Sequence, residues 1–347
     1  LLRYEFKVCH REWIIGSLWR KNSEGYTPSL PSREGKKESE IEVTKVGFLV
    51  RLDHLLRLNT LGLLTDPTIH ISGLTKKYGN LTALDAVNFS VSKGGISGII
   101  GPNGAGKTTL IKSIVGSLRP TSGSVSVLGL SPLKNKSALR QRIGYMPQDS
   151  ALYEDLSARE NIRFFGRAHN IRHLEEKITR IIAFTELTGR ENEAVHNFSG
   201  GMIKRVSLAC ALIHDPEVII LDEPTAAVDP RLRQRSWEMF RQLAQRGVTL
   251  LISTHLMDEA SLCDRITILR NGRVLVADTP QAILERGRSK MIVKKASTIT
   301  EESIGSRPED LAGALHRFGL DPSVDSVTIQ CEGLEEIVLS LINREEA

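Results

Sequence analysis

Three stretches of the chain are apolar without alternation: residues 96–100 (Ile-Ser-Gly-Ile-Ile), 218–221 (Val-Ile-Ile-Leu) and 249–252 (Thr-Leu-Leu-Ile). Such short runs, with no polar face, predict strands buried on both sides, as in a parallel sheet covered by helices. Ile69-His70-Ile71 and Val87-Asn88-Phe89-Ser90-Val91 alternate instead. They predict half-buried strands separated by a turn at Tyr78-Gly79-Asn80. Residues 110–118 place Leu110, Ile111, Ile114, Val115 and Leu118 at helical spacing, and 158–169, 173–184 and 201–213 show the same period. Strands are predicted at 125–128, after a turn at 120–123, and at 142–148. Residues 265–269 and 273–276 flank Asn271-Gly272, a strong hairpin signal. Near the end, 311–318 and 334–342 read as helices around a strand at 324–329.

Residues 1–66 break this pattern. Residues 25–42 are rich in Ser, Pro, Gly, Lys and Glu, a composition that buries too little apolar surface to fold alone. Residues 46–64 fit an amphipathic helix that could lie on a membrane or a partner. The chain begins at Leu1 and its first methionine is Met146. We therefore expect 1–66 to be an extension outside any domain, either disordered or the product of a misplaced start.

Composition narrows the class without naming a function. At 347 residues, and about 150 per domain, two domains and a tail are expected. A hydrophobic fraction of 40% and a charged fraction of 25% are ordinary for a globular chain. The net charge of +5 is small and spread out, so a solvated surface explains it better than a nucleic-acid or membrane footprint. Cys9, Cys210, Cys263 and Cys331 form no Cys-x-x-Cys pair, which argues against a zinc site or disulfide framework and fits a reducing cytosol. No run of about 18 apolar residues is present to span a membrane, and no signal peptide is evident.

The chemistry starts at Gly101-Pro102-Asn103-Gly104-Ala105-Gly106-Lys107-Thr108-Thr109, a phosphate-loop pattern between a predicted strand and a predicted helix. This arrangement aims backbone N–H groups and a helix N-terminus at one anion. Lys107 would meet the terminal phosphates, and Thr108 would offer a hydroxyl to Mg²⁺. The strand at 218–221 delivers Asp222 and Glu223 to its C-terminal end. Asp222 suits Mg²⁺ and its water shell, and Glu223 suits orienting or deprotonating an attacking water. Of nine histidines, only His255 ends a strong β run, where it could reach a γ-phosphate.

Taken together these stretches resemble the nucleotide-binding subunit of an ABC transporter. The resemblance covers about 68–284 and rests on six motifs in order: the phosphate loop at 101–109, Gln148 at the Q-loop, Phe198-Ser199-Gly200-Gly201-Met202 at the signature, 218–223 as Walker B, Asp229 at the D-loop and His255 at the switch. It implies an α/β fold: a P-loop NTPase core with a RecA-like, mostly parallel sheet, an antiparallel β subdomain and an inserted helical subdomain at about 150–215. The cassette would occupy 67–287, and 288–347 would form a small α+β appendage for packing or partner contact. It also implies ATP and Mg²⁺ as ligands, with Tyr78 stacking on adenine and Gln148 sensing Mg²⁺ and the partner domain. Ser199, Gly200 and Gly201 would clamp ATP held by the opposite subunit of a head-to-tail dimer, with Asp229 at the same interface.

Phe198 replaces the usual leucine, Met202 the usual glutamine, and the D-loop reads Ala226-Ala227-Val228-Asp229. Met202 and the run at 201–209 resemble the ABC-2-type exporter branch, as do 145–166 and the short appendage. This implies a separately encoded multi-span permease, a homo- or heterodimer of ATPase subunits at the cytoplasmic face of the membrane, and no nucleic acid. Two rivals are weaker. Soluble ABC ATPases acting on ribosomes or nucleic acid usually carry two cassettes or a long coiled-coil insertion. A sensor without turnover would not need both Glu223 and His255.

Overall fold

The computed structural model describes residues 19–22, 25–28, 67–295, 298–319 and 324–346. The amphipathic helix expected at 46–64 lies outside the described residues. Within the stretch expected to lack structure, β1 (Trp19–Asn22) and β2 (Gly25–Pro28) pair antiparallel. The described chain divides into two compact units, one spanning Thr65–Pro280 and the other formed by residues on either side of it.

In the Thr65–Pro280 unit, β3 (Ile69–Tyr78) and β4 (Leu81–Val91) are longer than their alternation announced, and β6 (Ser122–Val127) completes a three-stranded antiparallel sheet in the order β4-β3-β6. The second sheet uses β5 (Ile96–Ile100), β7 (Ile143–Met146), β8 (Val218–Asp222), β9 (Thr249–Thr254), β10 (Arg265–Arg270) and β11 (Arg273–Asp278). Its order is β11-β10-β5-β9-β8-β7; every pairing is parallel except β10 with β11. Helix α1 (Lys107–Ile114) follows β5, and Leu110, Ile111 and Ile114 join Ile69, Leu74, Val87, Ile99, Ile220 and Leu251 in one core shared by both sheets. The fully buried β8 and β9 account for their uninterrupted apolar runs.

A short helix α2 (Lys136–Arg140) precedes β7. Then α3 (Ala158–Ala168), α4 (Leu174–Phe184) and α5 (Gly200–Leu212) form a helical lobe with its own core of Ile162, Ile178, Ile182, Val206 and Cys210. Ser157 starts α3 with a reciprocal capping box to Glu160. Burial raises the Cys210 thiol far above its ordinary value, as core packing requires. Helix α6 (Pro230–Gln245), which the periodicity reading passed over, buries Trp237, Met239, Phe240 and Leu243. Short helices α7 (Met257–Ala260) and α8 (Pro280–Leu284) follow.

In the second unit, β12 (Arg288–Lys295) pairs antiparallel with both β13 (Thr298–Gly305) and β14 (Ser326–Cys331). Helices α9 (Pro308–Gly319) and α10 (Leu334–Glu346) complete it. Met291, Val293, Ile304, Ala314, Val324 and Val327 form its core. The helices and β14 match the sequence reading; the β12–β13 hairpin does not appear in it.

Where the helical lobe meets the parallel sheet, the His169 and His214 rings stack with centroids 4.0 Å apart. His214 Nε2 donates to Ile143 O at 2.9 Å, which leaves Nδ1 buried without a hydrogen-bond partner. Burial, reinforced by His169, pushes His214 down from 6.5 to about 4; burial also lowers His169. Above pH 6.5 neither state carries much charge here. Between 6.5 and about 4 the unfolded chain binds the proton first, so stability is lost as the pH is lowered through that window. The thermal midpoint of the wild type should therefore drop more steeply between pH 7 and 5 than that of His214→Gln; parallel curves would exclude the pair as the cause.

Candidate active site

The parallel strand order sets the site. β9 lies between β5 and β8, so the three C-terminal ends emerge side by side, carrying the phosphate loop, the Asp222-Glu223 pair and the Thr254-His255 corner. Gly101 N–H donates to Thr254 O at 3.3 Å, which joins the loop to the end of β9.

The hairpin turn at Asn271-Gly272, both residues at positive φ, shapes the loop from behind. Gly272 N–H donates to Ala105 O at 3.0 Å, and Gly272 O accepts from Asp85 N–H at 2.8 Å. Arg273 pairs with Asp85 at 2.6 Å and fastens the hairpin to β4. A side chain at Gly101 would put Cβ 2.2 Å from Leu269 O, so only glycine fits there. Gly106 caps α1 at φ 104 with no side-chain cap bond. The first N–H groups of α1 therefore have neither an intrahelical nor a side-chain acceptor, which is the donor set an oxyanion needs.

Lys107 is nearly buried, and its ammonium donates to Gly101 O at 2.8 Å and Pro102 O at 3.2 Å. It also pairs with Glu223 Oε1 at 3.1 Å, while Glu223 Oε2 lies 2.8 Å from His255 Nδ1. Glu223 itself adopts φ 50, an unusual conformation for a residue with a side chain. Its backbone N–H is fixed by Ser253 O at 3.2 Å and Ser253 Oγ at 3.0 Å. The Ser253 hydroxyl in turn donates to Asp222 Oδ1 at 2.5 Å. Asp222 is wholly buried, and its Oδ2 has no hydrogen-bond partner. An orphaned carboxylate oxygen at the end of β8 suits the water shell of a divalent cation. Tyr145, pushed up to about 12 by burial and by Asp222, stays neutral beside it.

The other predicted residues occupy separate places. Asn103 and Gly104 are exposed on the loop, Thr108 and Thr109 are half-buried in the first turn of α1, and Gln148 is exposed just after β7. Gln148 O accepts from Lys204 Nζ, on the signature helix, at 2.6 Å. Burial lowers Lys204 against the opposing pull of Asp149, Asp222 and Glu223. Ser199 caps α5, accepting from Met202 N–H at 3.4 Å; Ser199 and Gly200 are exposed and Gly201 is half-buried. Asp229 is also a helix cap, accepting from Arg231 and Leu232 N–H at 3.1 and 3.0 Å. Tyr78 is 47% exposed at the end of β3, with Lys76 Nζ 4.8 Å from its ring centroid. Phe198 is interior to the helical lobe, with the Arg190 guanidinium 5.3 Å from its ring centroid.

Comparison with known proteins decides the family. The ABC transporter family model matches residues 84–226. The Nod factor export ATP-binding protein I of Sinorhizobium fredii (strain NBRC 101917 / NGR234) is 36% identical over 271 residues, which is 77% of this chain and 76% of that protein. The chain belongs to the ABC transporter family. It is an ATP-binding subunit of the exporter type, an ATPase that works in transport. The probable multidrug ABC transporter ATP-binding protein YbhF of Escherichia coli (strain K12) is 40% identical over 217 residues, 62% of this chain but only 38% of that longer protein. A solved ATP-binding subunit of an ABC transporter superposes with a TM-score of 0.61 at 26% identity, covering 79% of this chain and 99% of the other. A dimeric post-hydrolysis cassette bound to ADP and Pi gives 0.57 at 26% identity, over 61% and 98%. The α/β cassette expected from the motif order is the fold observed.

Sequence reasoning missed Ser253, which joins the backbone of one ABC motif residue to the carboxylate of its neighbour; its only signal was a polar ending to an apolar strand. Ser253→Ala strips Asp222 Oδ1 and the Glu223 N–H of a partner. It should cost about 1–3 kcal/mol in denaturant unfolding. An unchanged midpoint would show that the hydroxyl contributes nothing.

Proposed function

We propose that Lys107, Glu223 and His255 form the hydrolytic centre of one ATP site, which a second ATPase subunit completes, and that the cycle drives a separately encoded ABC-2-type export permease. The observation that carries this is the Glu223 carboxylate shared between Lys107 at 3.1 Å and His255 at 2.8 Å. Entering phosphates compete for the Lys107 ammonium and free Glu223 Oε1 to accept a proton from the attacking water. Water oxygen bonds to the γ-phosphorus as the bond to the β–γ bridging oxygen breaks, yielding ADP and inorganic phosphate. His255 holds the other carboxylate oxygen and can turn to the γ-phosphate. The N–H groups of 103, 104 and 106–109 cradle the phosphate chain, and Tyr78 offers the ring face away from Lys76 to the adenine.

Asp222, Thr108 and Gln148 would hold Mg²⁺. Mg²⁺ supplies charge neutralisation on the terminal phosphates when bound. The buried, unpartnered Asp222 Oδ2 supports this assignment.

Ser199, Gly200 and Gly201 form an anion-binding helix N-terminus exposed on the helical lobe, suited to a phosphate held by another subunit. Asp229, exposed at the start of α6, would face the same interface. On this reading Glu223→Gln with MgATP should elute as a dimer in size exclusion, and adding Lys107→Ala should return it to monomer. A monomeric Glu223→Gln protein under saturating MgATP would overturn the shared site.

The helical lobe also exposes Phe164 of α3, edge-to-face at 4.8 Å with Tyr153, which lies five residues beyond Gln148. An aromatic pair beside a nucleotide-sensing loop suits docking of the permease. Held by that partner, the subunit would sit peripherally at the cytoplasmic face of the membrane; among the described residues no helix is long and apolar enough to cross it. Affinity capture from native membranes should recover a multi-span permease, with recovery falling at least about fivefold for Tyr153→Ala/Phe164→Ala. Recovery of ribosomes or nucleic acid would favour the soluble-ATPase alternative.

A further inference from the structure

Glu259 lies in α7, four residues beyond His255, and is 1% exposed. The hydrolytic reading gives it no task. Its Oε1 accepts from the Thr225 hydroxyl at 2.5 Å and pairs with Arg233 Nε at 3.6 Å, while Oε2 has no hydrogen-bond partner. Arg233 Nε likewise lacks one, though Nη2 donates to Val228 O at 3.4 Å. A buried carboxylate this incompletely satisfied, facing a guanidinium that is itself 29% exposed, costs stability that an apolar side chain of the same volume would not.

What the cluster touches gives a reason to keep it. Thr225 is two residues after Glu223, at φ 50, and two before Ala227, at φ 59. Both are left-handed conformations that a residue with a Cβ holds only when its surroundings over-determine them. Glu223 is fixed on one side by Ser253. On the other side the fixed points are Thr225, held by Glu259, and Val228, held by Thr225 O and Arg233. Glu259 follows His255 by four residues and Thr225 follows Glu223 by two, so the tie joins the segments that carry the two residues whose side chains meet at 2.8 Å.

We infer that Glu259 is a positioning residue: through Thr225 and Arg233 it fixes the strained 223–228 segment, and so sets where the Glu223 carboxylate and the turn at Asp229 stand relative to His255. The inference rests on Glu223 being the hydrolytic carboxylate.

The test uses the full-length protein with MgATP. Glu259→Ala and Thr225→Val should each lower kcat by about 10- to 100-fold with KM for ATP within about threefold, because the phosphate loop is untouched. Glu259→Gln keeps an oxygen for the Thr225 hydroxyl and should recover a substantial part of kcat. The double variant Glu259→Ala/Thr225→Val should be no worse than the poorer single one, since both break one tie. Without nucleotide, hydrogen exchange should quicken at 223–229 and stay unchanged at 101–109. A wild-type kcat in folded Thr225→Val, additive losses in the double variant, or a KM rise matching the kcat loss would each overturn the inference. Glu223→Gln is assayed alongside: full turnover there would mean the hydrolytic reading has failed, whatever the Glu259 variants do.

Discussion

Lys107 and Glu223 are far apart in the chain, yet their charged atoms lie 3.1 Å apart almost out of contact with water. That approach depends on β5 and β8 both pairing with β9, so that a helix-opening lysine and a strand-ending carboxylate leave the sheet at the same edge. The remainder of the Thr65–Pro280 unit maintains this meeting. The core shared by the two sheets and α1 prevents the lysine-bearing helix from tilting. The hairpin behind Gly101 and Ala105 presses the loop into shape. Ser253 locks the backbone at the carboxylate. Two opposite charges buried together are costly unless each keeps further partners. Lys107 keeps two carbonyls, and Glu223 keeps His255.

Two capping residues belong to both local folding and the proposed chemistry. Ser199 and Asp229 each satisfy helix N–H groups within their own chain. Those same helix starts are the surfaces that the dimer reading turns towards a partner. A cap is therefore also a rest position, available for exchange when a better acceptor arrives. Lys204 adds a link of the same kind, its ammonium tying the signature helix to the backbone at Gln148.

Legibility in the sequence followed the strength of the local physics. Strands β8 and β9 were plain because both faces are buried, and the turn at Asn271-Gly272 because positive φ at two successive residues narrows the choice of side chains. Helix α6 was passed over because Trp237, Met239, Phe240 and Leu243 are scattered among Arg and Gln. The β12–β13 hairpin hid because one of the inward residues of β12, Ser289, is polar and β13 is largely exposed. The glycine-rich loop and the Asp222-Glu223 pair could be placed from pattern and strand ends. The ties among Ser253, Thr225, Arg233 and Glu259 could not, since each depends on which strands are neighbours. No pattern along the chain records that adjacency.

Phe198 departs from a family motif at a position that serves packing. Its ring faces the interior of the helical lobe among residues such as Val195, Val206 and Cys210, with the Arg190 guanidinium against it. The position answers to the volume of that interior, so leucine and phenylalanine can exchange there as neighbouring side chains grow or shrink. Ser199, one residue on, answers to hydrogen bonding, which a side chain without an acceptor oxygen would not satisfy. The opening letter of the signature thus answers to packing, and the next to the backbone N–H that it caps.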